Sequence, residues 1–569
     1  MKILLVAINA KYIHSNLGVY SLKAYAESRC VTSVEIGEYT INHQMDLILQ
    51  DIYKRRPDVV GFSCYIWNIQ YVKQILKDIH KVLPKTEVWL GGPEVSYHAK
   101  QVLEENPAVR GVMVGEGEAT FAELAAYYES DTKVLSDIAG LVFRGENDEI
   151  ETTAPRGLLP MDEIPFSYGN LKGLEHRIIY YESSRGCPFS CSYCLSSIDK
   201  TVRFRSLELV KGELDFFLEH KVPQVKFVDR TFNAKKSHAL EIWKYLLEHD
   251  NGVTNFHFEV SADLIDEEEL AVMEQMRPGL IQLEIGVQTT NLETVREIRR
   301  KMNLDRLKEV VARVNGFHNI HQHLDLIAGL PFENFESFKR SFDDVYRMRP
   351  EQLQLGFLKV LTGSYMAEQT EAYGILYHGE PPYEVLSTNW LTYEEVLKLK
   401  AVEEMVEVYY NSGQFPETLK EMEHSWDSPY AMFEELAAYY EEHVAVGISH
   451  SRLARYELLF DFLTVRHPEK AERYRDLLMY DLYLRENVKS RPSFARDLGL
   501  WKERSRAFFQ KEEKAPVYLT GYEEYDSRQM SKIAHLEMMG DGTLVLFDYK
   551  NRDALTYNAR AVRIVEDGV

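Results

Sequence analysis

The stretch Ser184-Arg185-Gly186-Cys187-Pro188-Phe189-Ser190-Cys191-Ser192-Tyr193-Cys194 puts three of the chain's five cysteines within eight residues. Thiolates spaced C-x3-C-x2-C can reach three corners of a cubane cluster from one short loop, leaving the fourth iron without a protein ligand. Clusters that only carry electrons take four cysteines. A three-cysteine site therefore points to an iron kept for substrate, the logic by which catalytic zinc sites keep one position open. The competing reading is a zinc ion completed by a distant histidine. Secreted disulfide frameworks spread their cysteines along the chain, so clustering favours a reduced compartment.

Outward from this loop the chain alternates strands and helices. Strands are predicted at Arg177–Glu182, Val225–Asp229, Phe256–Ala262, Ile281–Val287, His321–Ala328 and Gln352–Val360, with helical spacing between them. These βα units fit an incomplete barrel, whose chemistry belongs at the C-terminal strand ends. The cysteine loop follows the first of them. Upstream, Lys2–Asn9, Val34–Ile41, Val59–Tyr65, Val88–Leu90 and Gly111–Val114 alternate with helical stretches, as in a parallel sheet covered on both faces. Residues 151–175, with Pro155, Pro160 and Pro165, read as a connector. From about 390 to 510 the apolar spacing is helical, and Gly540-Asp541-Gly542 between alternating runs signals a hairpin.

The expected fold class is α/β: a flavodoxin-like or Rossmann-type parallel sheet (1–150), a linker (151–175), a partial (β/α)6 barrel (176–390), and a mainly helical region ending in a small β element (391–569). A chain of 569 residues is expected to hold several domains. The net charge of −23 argues against an extensive nucleic-acid surface, although a local basic patch stays open. No apolar run approaches the roughly 20 residues of a membrane span. The start MKILLVAIN reaches Asn9 and Lys11 too early for a signal peptide, so the cytoplasm is expected.

With an aromatic residue before the last cysteine and six βα units behind it, the loop resembles the radical S-adenosylmethionine (SAM) superfamily. The resemblance implies a 4Fe–4S cluster on Cys187, Cys191 and Cys194, with SAM on the open iron and Tyr193 near its adenine. It also implies an external one-electron reductant of flavodoxin or ferredoxin type. Glu259, Glu284 and Gln288 on barrel strands could hold the ribose and ammonium groups, since polar ligand atoms need fixed partners once water is excluded. Gly329 and Pro331, in Ala328-Gly329-Leu330-Pro331, resemble the family segment passing the adenine. Pairing of such polar residues among themselves is the alternative.

The upstream sheet carries Gly91-Gly92-Pro93-Glu94 and Gly115-Glu116-Gly117-Glu118 at strand ends, where ligands bind on such folds. Neither segment matches a phosphate loop or a dinucleotide fingerprint, and the glutamates would repel phosphate. Placed before a radical SAM core, they resemble the cobalamin-binding domain of the family's cobalamin-dependent branch. Gly91, Gly92, Pro93, Glu94, Gly115, Glu116 and Gly117 are then cofactor contacts, joined by His14, Ser63 and Trp67, with Tyr65 beside them. D-x-H-x-x-G is absent, which leaves the lower cobalt face unassigned. Cys30 and Cys64 read as core residues.

The resemblance implies that SAM is cleaved to a 5′-deoxyadenosyl radical and that methylcobalamin methylates an unactivated carbon. A non-methylating rearrangement or cyclisation, with cobalamin as electron carrier, stays open. So does a cobalamin-responsive regulator, although the intact cysteine triad disfavours it. Methylthio transfer to transfer RNA needs three further cysteines, and only Cys30 and Cys64 remain. A small molecule or a peptide is the expected substrate rather than nucleic acid, and no membrane association is expected.

Overall fold

The structure, a computed structural model, describes residues 1–29, 34–129, 134–444, 450–497, 499 and 501–564. Cys30 lies outside them. Ile3–Asn9 is buried at every position, the mark of a central strand covered on both faces. As β1 it pairs in parallel with β2 (Val34–Thr40) and β3 (Val59–Ser63), followed by β4 (Glu87–Gly91) and β5 (Gly111–Met113). Two strands absent from the sequence reading extend this sheet antiparallel, β6 (Leu141–Arg144) and β7 (Ile150–Thr152). β7 buries none of its side chains fully, so it carries no apolar signature.

The second sheet starts at β8 (Ile179–Tyr181). Next come β9 (Ser184–Arg185) and β10 (Arg203–Phe204), a two-residue antiparallel ladder that closes the neck of the cysteine loop. β11 (Gln224–Phe227), β12 (Asn255–Val260), β13 (Ile281–Gln288), β14 (His321–Ala328) and β15 (Gln352–Phe357) then continue the sheet. All six barrel strands run parallel in the order β8-β11-β12-β13-β14-β15, so β8 and β15 are the edges and do not pair with each other. The barrel is therefore open on one side.

Alternation along β13 shows how the sequence builds this wall. Ile281, Leu283, Ile285 and Val287 are buried against the surrounding helices, each burial contributing roughly 1.5–3 kcal/mol, while Gln282, Glu284, Gly286 and Gln288 face inward. Beyond a short antiparallel pair, β16 (Leu376–Tyr377) and β17 (Val385–Ser387), a capping box on Thr392 and Glu395 starts the helix Tyr393–Met405. That helix passes into a π-helical turn at Val406–Asn411, and five longer helices occupy most of the chain between Pro416 and Lys514. The tail is a three-stranded antiparallel sheet, β18 (Ala534–Met538), β19 (Leu544–Arg552) and β20 (Ala559–Ile564), one strand more than the expected hairpin. The α/β fold class thus holds in its three parts. Among the described residues, no helix is long and apolar enough to cross a membrane.

Candidate active site

The C-terminal ends of the two parallel sheets face each other. Below β1, the Ile178 amide donates to the Ile13 carbonyl, and Tyr180 Oη lies 2.8 Å from His14 Nδ1. Below β4, Tyr383 donates to Glu94 Oε2 at 3.0 Å. Below β5, Arg203 and Glu116 form an ion pair.

The cysteine loop hangs in this junction. Its backbone is held by the Ser192 amide on the Ile298 carbonyl and by the Met366 amide on the Ser192 carbonyl, both at 2.9 Å. Cys187, Cys191 and Cys194 are free thiols, the first two buried. Burial pushes the Cys187 thiol up, and Cys194 and Cys191 beside it add to the rise. Three sulfurs that repel one another as thiolates are the donor set that an iron–sulfur cluster relieves, so the loop fits the cluster. Thr231 Oγ1 stands 3.8 Å from Cys187 Sγ. Arg300 points Nη1 at Cys191 Sγ (3.8 Å) and Tyr193 Oη (3.4 Å), with Nη2 on the Gly286 carbonyl. Nothing in the sequence around Arg300, a run of three basic residues after β13, singles it out.

Tyr193 and Gln288 line a cavity of about 850 Å³ together with Asp325, Gln354, Gly356 and Lys359 from β14, β15 and the segment after it. Its far wall comes from Glu384, Lys400, Glu403, Glu404 and Glu407, the last on the π-helical turn. Among the described residues, two buried acceptors in this cavity lack a hydrogen-bond partner, Gln288 Oε1 and Asp325 Oδ1, with His323 Nε2 3.2 Å from the latter. Orphaned acceptors beside an aromatic ring fit a ligand with ammonium and hydroxyl donors such as SAM.

Deeper in the barrel, Lys226 Nζ lies 2.7 Å and His257 Nε2 3.0 Å from Glu284 Oε2. Burial alone would raise Glu284, but His257 and Lys226 hold its carboxyl well below the usual range. Glu259 is pushed up, first by burial and then by Glu284. Glu284 is thus engaged within the barrel, while Gln288 reaches the cavity. Glu284, His323 and Asp325 bring ligand atoms within 4.8 Å of one another, but a metal there would have to displace Lys226. Gly329 abuts the Val385 side chain, and Pro331 is buried just beyond β14.

In the first sheet, Trp67 is 40 % exposed and stacks on Tyr65 with ring centroids 4.5 Å apart, its indole donating to the Ile8 carbonyl. Ser63 ends β3 opposite Gly91, which packs on Met113. Pro93 starts a one-turn helix. Gly92 has φ +114°, and a Cβ on it would collide with the Cys64 carbonyl, so its glycine is explained by strand packing. A Cβ on Gly115 would meet nothing within 4 Å, whereas one on Gly117 would collide with the Leu22 side chain. A flat aromatic pair and a bare backbone turn at the strand ends fit a large planar cofactor. Cys64 is buried in the core.

Residues 3–125 match the B12 binding domain, 181–345 the radical SAM superfamily, and 371–552 a domain described as a protein of unknown function (DUF4080). The chain is 27% identical over 340 residues to the cobalamin-dependent radical SAM methyltransferase TokK of Streptomyces tokunonensis, an overlap of 56% of this chain and 50% of that protein. It is 26% identical over 301 residues to the 2-(S-pantetheinyl)-carbapenam-3-carboxylate methyltransferase of Streptantibioticus cattleyicolor, covering 50% and 44%. The chain therefore spans about half the length of the curated relatives it matches. The fold is also that of OxsB, a cobalamin-dependent SAM radical enzyme solved with aqua-cobalamin and SAM bound (TM-score 0.60, 16% identity, 85% of this chain and 79% of that one). A B12 binding domain match ahead of a radical SAM superfamily match makes this chain similar to the cobalamin-dependent radical SAM enzymes named above.

Proposed function

We propose that the chain uses SAM and cobalamin to methylate an unactivated carbon of a small molecule or peptide. The observation that carries this reading is the three-thiol loop whose Tyr193 opens onto a cavity of about 850 Å³ at the barrel's strand ends. When bound, the cluster supplies the electron that cleaves SAM to a 5′-deoxyadenosyl radical, and cobalamin supplies the methyl group. Relatives named as methyltransferases support methylation over cyclisation or electron carriage.

The chain's own residues hold and shield this chemistry. Cys187, Cys191 and Cys194 would hold the cluster. Arg300 sets a guanidinium beside Cys191, which favours the added negative charge of a reduced cluster. Gln288 and Glu259 offer acceptors to the SAM ammonium and ribose. Asp325, pushed up to about 8 by burial and then by Glu284 and Glu259, keeps its proton at neutral pH, so one carboxyl oxygen donates and the other accepts. Tyr65, Trp67, Ser63, Gly91 and Gly115 form the cobalamin-facing surface, with His14 and Glu94 at its rim. The helix carrying Glu403 and the turn carrying Glu407 form the wall of the cavity opposite Tyr193 and Gln288. A flavodoxin- or ferredoxin-like donor in the cytoplasm supplies the electron, in keeping with free thiols. Domain limits of 1–150, 176–390 and 391–569 fit this division of labour.

Protein reconstituted anaerobically with iron, sulfide and cobalamin is given methyl-labelled SAM, dithionite and a metabolite extract. The expected result is 5′-deoxyadenosine together with a labelled product one methylene unit heavier. No 5′-deoxyadenosine overturns the radical reading, and 5′-deoxyadenosine with no label transfer overturns methylation.

A further inference from the structure

The cysteine loop leaves and re-enters the fold through β9 and β10, where Arg185 is paired with Arg203 and Ser184 with Phe204. Residues opposite each other in an antiparallel pair project to the same face, so two guanidinium groups sit side by side at the neck of the loop. Like charges placed this way are destabilising unless something compensates them. Here the compensation comes from both domains, with Asp199 of the barrel domain 3.9 Å from Arg203. Arg185 Nη2 donates to Glu118 Oε1 at 2.8 Å, and Arg203 pairs with Glu116, which also lies 3.6 Å from Arg185. Within the barrel domain, Glu182 adds a contact to Arg185 at 2.7 Å. The side chains of Arg185, Arg203, Glu116 and Glu118 are 21%, 14%, 15% and 6% exposed, so water screens these pairs weakly.

The carboxylates belong to Gly115-Glu116-Gly117-Glu118, the turn after β5. Glu118 opens the helix Glu118–Glu129 and also accepts from the Ser21 hydroxyl at 3.0 Å, tying the turn to the helix that flanks β1. The same turn lies at the C-terminal strand ends, where a ligand of this sheet must sit. One short segment therefore meets the cofactor surface of the first domain and grips both ends of the cluster loop.

Resting on the functional reading above, we propose that Glu116 and Glu118 are positioning residues. They clamp Arg203 and Arg185 so that cluster assembly in the loop and cobalamin binding on the first sheet are thermodynamically coupled. Coupling between two sites is reciprocal, and factors of about 5–150 are usual where a shared element carries it. Each residue of the clamp acts through the neck of the loop, by the ion pairs that hold it.

The test is a linkage measurement on the full chain. Hydroxocobalamin dissociation constants are measured by equilibrium dialysis for cluster-loaded and chelator-stripped protein, in wild type and in the Glu116→Gln/Glu118→Gln variant. Wild type is expected to show a ratio of about fivefold or more between the two states, and the variant a ratio within about twofold of unity. A wild-type ratio of one, or a ratio unchanged in the variant, overturns the clamp. A charge-reversed pair, Glu116→Arg with Arg203→Glu, restores the contact and should restore the ratio, which a defect in folding would not do. A second readout needs no cobalamin: the rate at which a chelator strips cluster iron should rise about threefold or more in the double glutamine variant. An unchanged rate counts against the clamp. Failure of the functional reading looks different, since it removes 5′-deoxyadenosine formation and leaves these ratios intact.

Discussion

Lys226 on β11 and Glu284 on β13 reach across the barrel interior, past β12, to within 2.7 Å of each other, with His257 Nε2 3.0 Å from the same carboxylate oxygen. Their side chains are about one-fifth exposed, so the pair behaves as a largely buried ion pair. Removing one partner strands the other charge, whereas replacing both with apolar side chains of similar volume does not. Lys226→Met should therefore lower stability by about 3–5 kcal/mol, and Lys226→Met/Glu284→Met should recover most of that loss. Urea denaturation of the cluster-free protein measures both. Equal losses in the single and double variants would refute the pairing as the source.

Asp325 titrates in the opposite sense. Burial, then Glu284 and Glu259, raise it to about 8, while Lys226 and Arg300 oppose the rise. Its neighbour His323 is lowered, first by burial. A carboxyl whose folded value lies above its unfolded value of about 3.9 binds extra protons when folded, so its contribution is complete at acid pH and is lost as pH climbs through about 8. Asp325→Asn should then be more stable than wild type by about 1–3 kcal/mol at about pH 9, with the gap closing or reversing near pH 5. Melting temperatures at the two pH values decide this, and a gap independent of pH speaks against it.

Cys194 is the most exposed of the three loop thiols. Its side chain contributes little packing, so Cys194→Ala should shift the melting point of the cluster-free chain by under about 1 kcal/mol equivalent. The same change should cut iron retained after anaerobic reconstitution by about tenfold. Iron assay and thermal unfolding on one preparation separate the roles: full iron retention would exclude Cys194 as a ligand.

The legible part of this molecule was what periodicity and spacing encode. β1 announces itself as seven consecutive buried residues, and Ile281–Gln288 alternates without a break. The cysteine loop was legible because its ligands are local. What stayed hidden depends on partners distant in sequence. Arg185 and Arg203 look like ordinary loop cations until Glu118 and Glu116, 67 and 87 residues earlier, meet them. Lys226, His257, His323 and Asp325 form one cluster only because four parallel strands bring them into register. A signal did exist there: polar residues at His321, His323 and Asp325, every second position, mark a strand whose second face is not packed in oil. The cavity wall at Glu403 and Glu407 had no such signal, since a π-helical turn leaves the apolar repeat almost unchanged.

Gly186 begins the excursion from the neck toward Cys187, with φ +98°. A Cβ there would collide with the Thr201 carbonyl and come within 3.3 Å of the Val202 Cα. Both obstacles are backbone of the segment just before β10, so no rotamer change can make room. Gly186→Ala must therefore open the β9–β10 ladder or force the loop into another path, at a local cost of about 2–4 kcal/mol. That cost falls on the segment that presents the three thiols, so iron loading should fail before the global fold does. Gly212, inside the helix Leu207–Glu219 with no neighbour within 4 Å of a Cβ, supplies the contrast. Gly212→Ala should gain about 0.5–1 kcal/mol and load iron normally. Comparing iron content and melting temperature in the two variants distinguishes a strained neck from a general intolerance of added methyl groups. Normal iron loading by Gly186→Ala would show that the ladder does not position the cysteines.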